Sequence, residues 1–191
     1  MKEGVFPVCW KNANLVLIPK GDKGSITGLP KVRPICLLDE VGKTFERVIA
    51  DRLLDWLESN ADVNLSANQF GFRKQISTCD ALTKVKAITS STVDEGGIAI
   101  AVAIDIENAF NSLPWHTIRT ALSEKRIPYY LRRIIDSYLS ERSIEFRNTQ
   151  GKLVRKSVEA GVPQGSVLGP LLWNIAYDSA LRVTKEQGCH I

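Results

Sequence analysis

The sequence predicts an α+β fold, and three observations carry that expectation. Two apolar runs, Leu15 to Pro19 and Val32 to Leu38, flank a glycine-punctuated loop, Gly21 to Pro30, as the strands of a hairpin do. Apolar residues at Val41, Phe45, Val48, Ile49, Leu53, Trp56 and Leu57 recur at helical spacing. The run Ile98 to Ile104 is almost uninterrupted and bounded by glycines, which predicts a central strand buried on both faces. With 191 residues, 44% of them hydrophobic, the chain can bury one well-formed domain.

In chain order, the hairpin of residues 15–38 comes first, with a basic loop. Asp39 and Glu40 open the first helix, where acids suit the positive end of the helix dipole. Gln69 to Arg73 form a turn-like loop around Gly71. Ser77 or Thr78 caps a second helix suggested by Cys79 to Ile88. Asp94-Glu95-Gly96-Gly97 breaks the chain before the apolar strand, which ends at Asp105. Ser112 and Pro114 start a helix running to about Lys125. Pro128 starts another, with Leu131, Ile134, Ile135, Tyr138 and Leu139 on one stripe, and both are expected to cover the sheet. Ser143 to Arg147 and Leu153 to Glu159 read as a hairpin turning at Gly151. The turn Gly161-Val162-Pro163-Gln164-Gly165-Ser166 then leads into a helix from Val167 to about Glu186. Gly188 ends that helix, and Cys189-His190-Ile191 reads as the start of a further strand.

Charge is uneven along the sequence. Residues 1–33 carry Lys2, Lys11, Lys20, Lys23, Lys31 and Arg33 against Glu3 and Asp22, so the whole formal net charge of +4 resides there. Such an end suits a surface that meets phosphates, or is simply a solvated face. The four cysteines show neither metal-ligand nor redox spacing, which points to reduced thiols. No apolar stretch approaches the length of a membrane span and no signal peptide is evident, so the expected setting is intracellular, with nucleus or cytoplasm undecided.

Two features bear chemistry. Asp105, at the end of an apolar strand, offers a hard oxygen ligand suited to Mg²⁺, and the carbonyl of Ile106 can add a second; alone, such an Asp also reads as a helix cap or solvated strand end. In the turn of residues 161–166, glycines let backbone approach a ligand where a β-carbon would collide, while the Gln164 amide can bond its polar groups; alone, the run also reads as a helix-initiating turn with Gly169-Pro170 as a local irregularity. The helix start that follows favours a nearby phosphate. Val41-Gly42-Lys43-Thr44 imitates the end of a phosphate-binding loop but lacks its first glycine and lies within a helix, so it reads as helix surface.

In order along the chain, Leu15-Val16-Leu17-Ile18-Pro19-Lys20, Val32-Arg33-Pro34-Ile35-Cys36-Leu37-Leu38, Gln69-Phe70-Gly71-Phe72-Arg73, Ala103-Ile104-Asp105-Ile106-Glu107-Asn108-Ala109-Phe110 and Gly161 to Trp173 resemble the motifs of reverse transcriptases, specifically those of non-long-terminal-repeat retrotransposons. The resemblance implies a right-hand polymerase, with fingers over residues 1–95 and a partial palm with an antiparallel sheet over 96–191. It implies RNA-directed DNA synthesis from an RNA template, a DNA primer and deoxynucleoside triphosphates, with two Mg²⁺ ions in the complete protein. By matching positions, Asp105 is the catalytic metal ligand with Ile106, and Lys20 and Arg33 meet the triphosphate. Arg73 lies near template or nucleotide, Phe110 sits under the sugar ring, where it blocks a ribose 2′-hydroxyl, and Gln164 and Gly165 hold nucleotide or template.

The family's Tyr-x-Asp-Asp hairpin does not occur in these 191 residues, and Asp178 does not replace it. The resemblance therefore implies a fragment of a longer protein, inactive alone because two ions would share one carboxylate. A non-catalytic nucleic-acid-binding remnant and an intron maturase or telomerase relative are the rival readings; flanking sequence separates them.

Overall fold

The computed structural model describes residues 3–20 and 32–182. The basic loop of 21–31, the helix end expected near Glu186 and the strand expected at Cys189 lie outside the described residues, within which the last α-helix already gives way to a 3-10 turn after Tyr177. A 3-10 turn at Val8–Trp10 precedes β1 (Asn12–Pro19) and β2 (Val32–Leu37), followed by α1 (Glu40–Ser59), α2 (Thr78–Asp94) and the single turn α3 (Ala109–Ser112). Then come α4 (Trp115–Glu124), α5 (Tyr129–Leu139), β3 (Ser143–Arg147), β4 (Leu153–Ser157) and α6 (Leu168–Tyr177), which continues as a 3-10 turn, Asp178–Arg182.

One four-stranded sheet runs in the order β2-β1-β3-β4. Both hairpins are antiparallel, but β1 meets β3 in parallel through Asn12 to Asn14 and Ser143 to Glu145, so the expected antiparallel sheet is mixed. It unites strands from residues 12–37 with strands from residues 143–157. On the edge strand β2, Pro34 has no N–H to leave open on the outer side. The N–H of Cys36, two residues on and facing the same way, donates to the carbonyl of Gln164 at 2.8 Å.

A continuous apolar core gathers Phe6, Ile49, Leu53, Ile134, Tyr138 and Leu172 from both ends of the chain. Phe6 meets the Tyr138 ring edge-on at 5.0 Å. The inward face of α1 is rotated from the expected stripe. Gly42, Glu46, Ile49, Ala50, Leu53 and Leu57 are buried, whereas Val41 and Val48 face solvent. The small residues explain the rotation, since a β-carbon on Gly42 would stand 3.0 Å from Cβ of Trp10. Asp39 caps this helix by accepting from the N–H groups of Val41 and Gly42, and Lys43 pairs with Glu40 on its surface. The Ser77–Asp80 capping box starts α2. The stripe expected on α5 is buried throughout. α4 packs principally on α6 and α5 rather than on a central sheet.

Residues 97–106 form no strand. Ile98, Ile100, Val102 and Ile104 are 81–88% exposed, which overturns the expected central strand buried on both faces. A strand is completed by hydrogen bonds from neighbours distant in sequence, and no described segment pairs with this one.

Candidate functional site

The site is organised by the turn that enters α6. Gly161 has φ +79°, and a β-carbon there would lie 2.5 Å from the carbonyl oxygen of Asn111 and 2.7 Å from its Cα. Only glycine permits that approach. It is locked by the N–H of Gly161 donating to Leu113 (2.8 Å) and that of Val162 donating to Phe110 (2.7 Å), while the Trp115 indole N–H donates to the Gly161 carbonyl (2.8 Å). On its other side the turn meets β2. Gly165, at φ +114°, would place a β-carbon 2.6 Å from the Cys36 carbonyl oxygen, beside the bond from Cys36 to Gln164.

Two sequence-predicted regions are therefore joined through backbone. Phe110 lies against one limb of the turn and the strand bearing Arg33 lies against the other, with Gln164 half-buried between them. Arg33 is exposed and three residues from Cys36, about 10 Å along a strand. It pairs in register with Ile18, and Pro19 pairs with Val32, so exposed Lys20 follows at the same end of the hairpin.

The half-buried Phe110 ring is held in an aromatic row. Phe72 meets it edge-on at 5.8 Å, Trp173 lies 5.8 Å away on α6, and Tyr177 stacks on Trp173 at 5.7 Å. Asn174 of α6 fixes the Phe72 loop, donating to the Gly71 carbonyl (2.8 Å) and accepting from the Gln69 amide (2.8 Å). In that loop Arg73 donates to the carbonyls of Ser66 (3.0 Å) and Gln69 (3.2 Å). Its guanidinium closes its own loop.

The start of α6 does not offer a free anion cradle, contrary to the expectation from its position. Oε2 of Glu46, from α1, accepts from the N–H groups of Val167 (2.7 Å) and Leu168 (3.1 Å), and Oγ of Ser166 accepts from that of Gly169 (2.7 Å). Those donors are already matched and faced by an acid. Burial raises the Glu46 carboxyl above its ordinary range, against the lowering effect of the two N–H bonds and of Arg142 and Lys43. Sequence reasoning missed Glu46. The signal was present: an acid at position 46 shares the helical face of Ile49, Ala50, Leu53 and Leu57.

A second missed group braces the far end of α6. Asp178 accepts from Lys125 Nζ (2.7 Å), the Ser66 N–H (2.6 Å) and Arg182 Nε. Burial would raise its carboxyl, but those bonds outweigh burial and hold it below its ordinary value. It is a structural ion-pair centre.

Asp105 and Ile106 follow the exposed apolar segment, and Asp105 itself is exposed. Carboxylate and carbonyl oxygens are the donors Mg²⁺ prefers, yet among the described residues no group of three or more His, Cys, Asp or Glu could hold a metal ion. The donor set here is incomplete for a two-ion centre. No described helix is long and apolar enough to cross a membrane.

The family model for reverse transcriptase (RNA-dependent DNA polymerase) matches residues 18–191. The chain is 34% identical over 172 residues to the RNA-directed DNA polymerase from mobile element jockey of Drosophila melanogaster, covering 90% of this chain and 18% of that protein. It is 34% identical over 195 residues to the Pol polyprotein from type-1 retrotransposable element R1 of Bradysia coprophila, covering 99% and 18%. The chain thus spans under a fifth of the length of these relatives. Among solved structures, apo telomerase from Candida tropicalis, truncated from its C-terminal domain, superimposes with a TM-score of 0.58 at 12% identity, covering 91% of this chain and 39% of that one. That likeness concerns the fold.

Proposed function

Because the chain belongs to the reverse transcriptase family, we propose that it forms the nucleotide-facing wall of an RNA-directed DNA polymerase from a non-long-terminal-repeat retrotransposon. The observation that carries this reading is the turn of residues 161–165, bonded on one limb to Phe110 and on the other to the strand of Arg33. Two glycines that exclude any side chain set that arrangement. The relatives at 34% identity are mobile-element polymerases, whereas the telomerase likeness rests on fold at 12% identity.

In this reading residues 1–95 belong to the fingers and 96–191 to part of the palm, with β3 and β4 joining the fingers sheet. Lys20 and Arg33 meet the triphosphate, Phe110 lies under the sugar, and Gln164 with Gly165 holds nucleotide or template. Arg73 acts by shaping the loop that seats Phe72 against Phe110. Asp105 and the Ile106 carbonyl would hold Mg²⁺ together with acids from a Tyr-x-Asp-Asp hairpin elsewhere in the full-length protein, where the exposed segment of residues 98–104 would find its strand partners. When bound, such ions would supply Lewis-acid activation for a primer 3′-hydroxyl and charge stabilisation for the leaving pyrophosphate. This chain's own part is to place the nucleotide and exclude a 2′-hydroxyl.

The test is DNA synthesis by the purified full-length protein on an RNA template with a DNA primer. Mg²⁺-dependent extension abolished by chelation is expected, and Phe110→Val should raise ribonucleotide incorporation at least about tenfold by removing the steric bar. Absence of templated synthesis refutes the activity, and unchanged sugar discrimination removes Phe110 from its role.

A further inference from the structure

The most unusual ionisable group outside the proposed chemistry is Glu46, which is only 1% exposed. An apolar residue would continue the buried face of Ile49 and Leu53, and a short side chain just before α6 could cap that helix locally, as Ser166 already does for Gly169. Instead a carboxylate reaches across from α1, 121 residues away, to the N–H groups immediately after the Gln164–Gly165 turn. Burying an acid is costly unless it is hydrogen-bonded or paired, and the bonds Glu46 makes are those two.

The turn is tied at three places. Backbone bonds join residues 161 and 162 to Leu113 and Phe110, and another joins Gln164 to Cys36. The third tie, after Gly165, is made by the Glu46 side chain. Gln164, held through its carbonyl, lies between the tie at Val162 and the tie at Val167, so the last tie fixes how the chain leaves the turn. The charged and titratable groups around Glu46 are Arg142, Lys43 and Tyr138. Arg142 lies with its guanidinium 4.5 Å over the Tyr138 ring and donates to the Tyr138 carbonyl, so it is not bonded to Glu46 but compensates its charge at a distance.

We propose that Glu46 is the positioning residue for the Gln164–Gly165 turn, fixing through the Val167 and Leu168 N–H groups the pose in which that turn receives the incoming nucleotide. The inference rests on the nucleotide-site reading above. Glu46 touches no substrate. What matters is an acceptor oxygen at the right reach, so a glutamine substitutes for it and an aspartate, one methylene shorter, does not.

The experiment is single-nucleotide incorporation by the full-length polymerase carrying Glu46→Ala, Glu46→Asp, Glu46→Gln or Gln164→Ala. Each preparation is normalised by active-site titration. Glu46→Ala and Glu46→Asp should raise KM for the deoxynucleotide about tenfold, with kcat at saturation changed less than about threefold, because misplacing a binding group weakens pose rather than chemistry. Glu46→Gln should stay within about threefold of the wild type in both. If alanine lowers only the active fraction, or if aspartate, which keeps a helix-capping acid and gives a second folded variant, leaves KM unchanged, Glu46 is a stability residue and the proposal is overturned. Failure of the site reading looks different: Gln164→Ala then leaves KM unchanged as well.

Discussion

Replacing Gly161 with alanine should damage this fold more than replacing Gly151, although both glycines have nearly the same backbone conformation, φ +79° and +75°. Gly151 caps an exposed hairpin, and a β-carbon there meets nothing within 4 Å. Gly151→Ala therefore reports left-handed strain alone, about 1–2 kcal/mol. At Gly161 the β-carbon would lie 2.5–2.7 Å from three backbone atoms of Asn111. Relief requires the two segments to part by close to 1 Å, which stretches the bonds to Leu113, Phe110 and Trp115. With about 1 kcal/mol for each weakened bond, Gly161→Ala should cost about 4–5 kcal/mol, about 3 more than the control. Urea denaturation followed by far-ultraviolet circular dichroism measures both on one background, with unchanged m values required for the comparison. A difference below about 0.5 kcal/mol would mean that the close approach of residues 111 and 161 does not exist in solution, and with it the seat of Phe110.

Asp178→Ala should cost about 3 kcal/mol, since Lys125 would be left buried with only the carbonyls of Val63 and Asn64; Lys125→Met should cost less, because Asp178 keeps the Ser66 N–H and Arg182. Equal losses in urea midpoints would contradict that asymmetry. The raised carboxyl of Glu46 sets a pH dependence with a definite sign. The folded chain holds this proton more tightly than the unfolded one, so its contribution is fully present below the ordinary value of 4.5 and is lost as pH rises through the folded value. Glu46→Gln should remove that slope, and an unaltered slope in urea midpoints as pH rises above 4.5 would reject the assignment. Asp178 acts in the opposite sense: its contribution is lost only as pH falls below its ordinary 3.8 and through its lowered folded value.

Local periodicity made the helices legible. Leu131, Ile134, Ile135, Tyr138 and Leu139 announced α5, and Asp39 announced the start of α1. The rotation of α1 was not legible from large apolar residues alone, because close packing selected Gly42 and Ala50, and capping of α6 selected Glu46. Strand content behaved differently. The run Ile98 to Ile104 has the composition of a buried strand, yet a strand depends on partners that no local pattern encodes. The parallel contact of β1 with β3, more than a hundred residues apart, was hidden for the same reason. Within the candidate site, the 161–166 turn was legible because its glycines are dictated by backbone geometry. Arg73 was placed near template or nucleotide by resemblance, whereas its neighbouring carbonyls determine where the guanidinium goes.

In the proposed polymerase, Asp105 grips a metal ion beside the nucleotide placed by Phe110 and Gln164. Single-turnover nucleotide addition by full-length Asp105→Asn on an RNA template tests this directly. Because Asp105 is exposed, the variant should fold with a stability within about 0.5 kcal/mol of the wild type. Its rate of addition should fall at least about 10³-fold while primer-template binding is retained. Addition at a rate near that of the wild type would contradict the account.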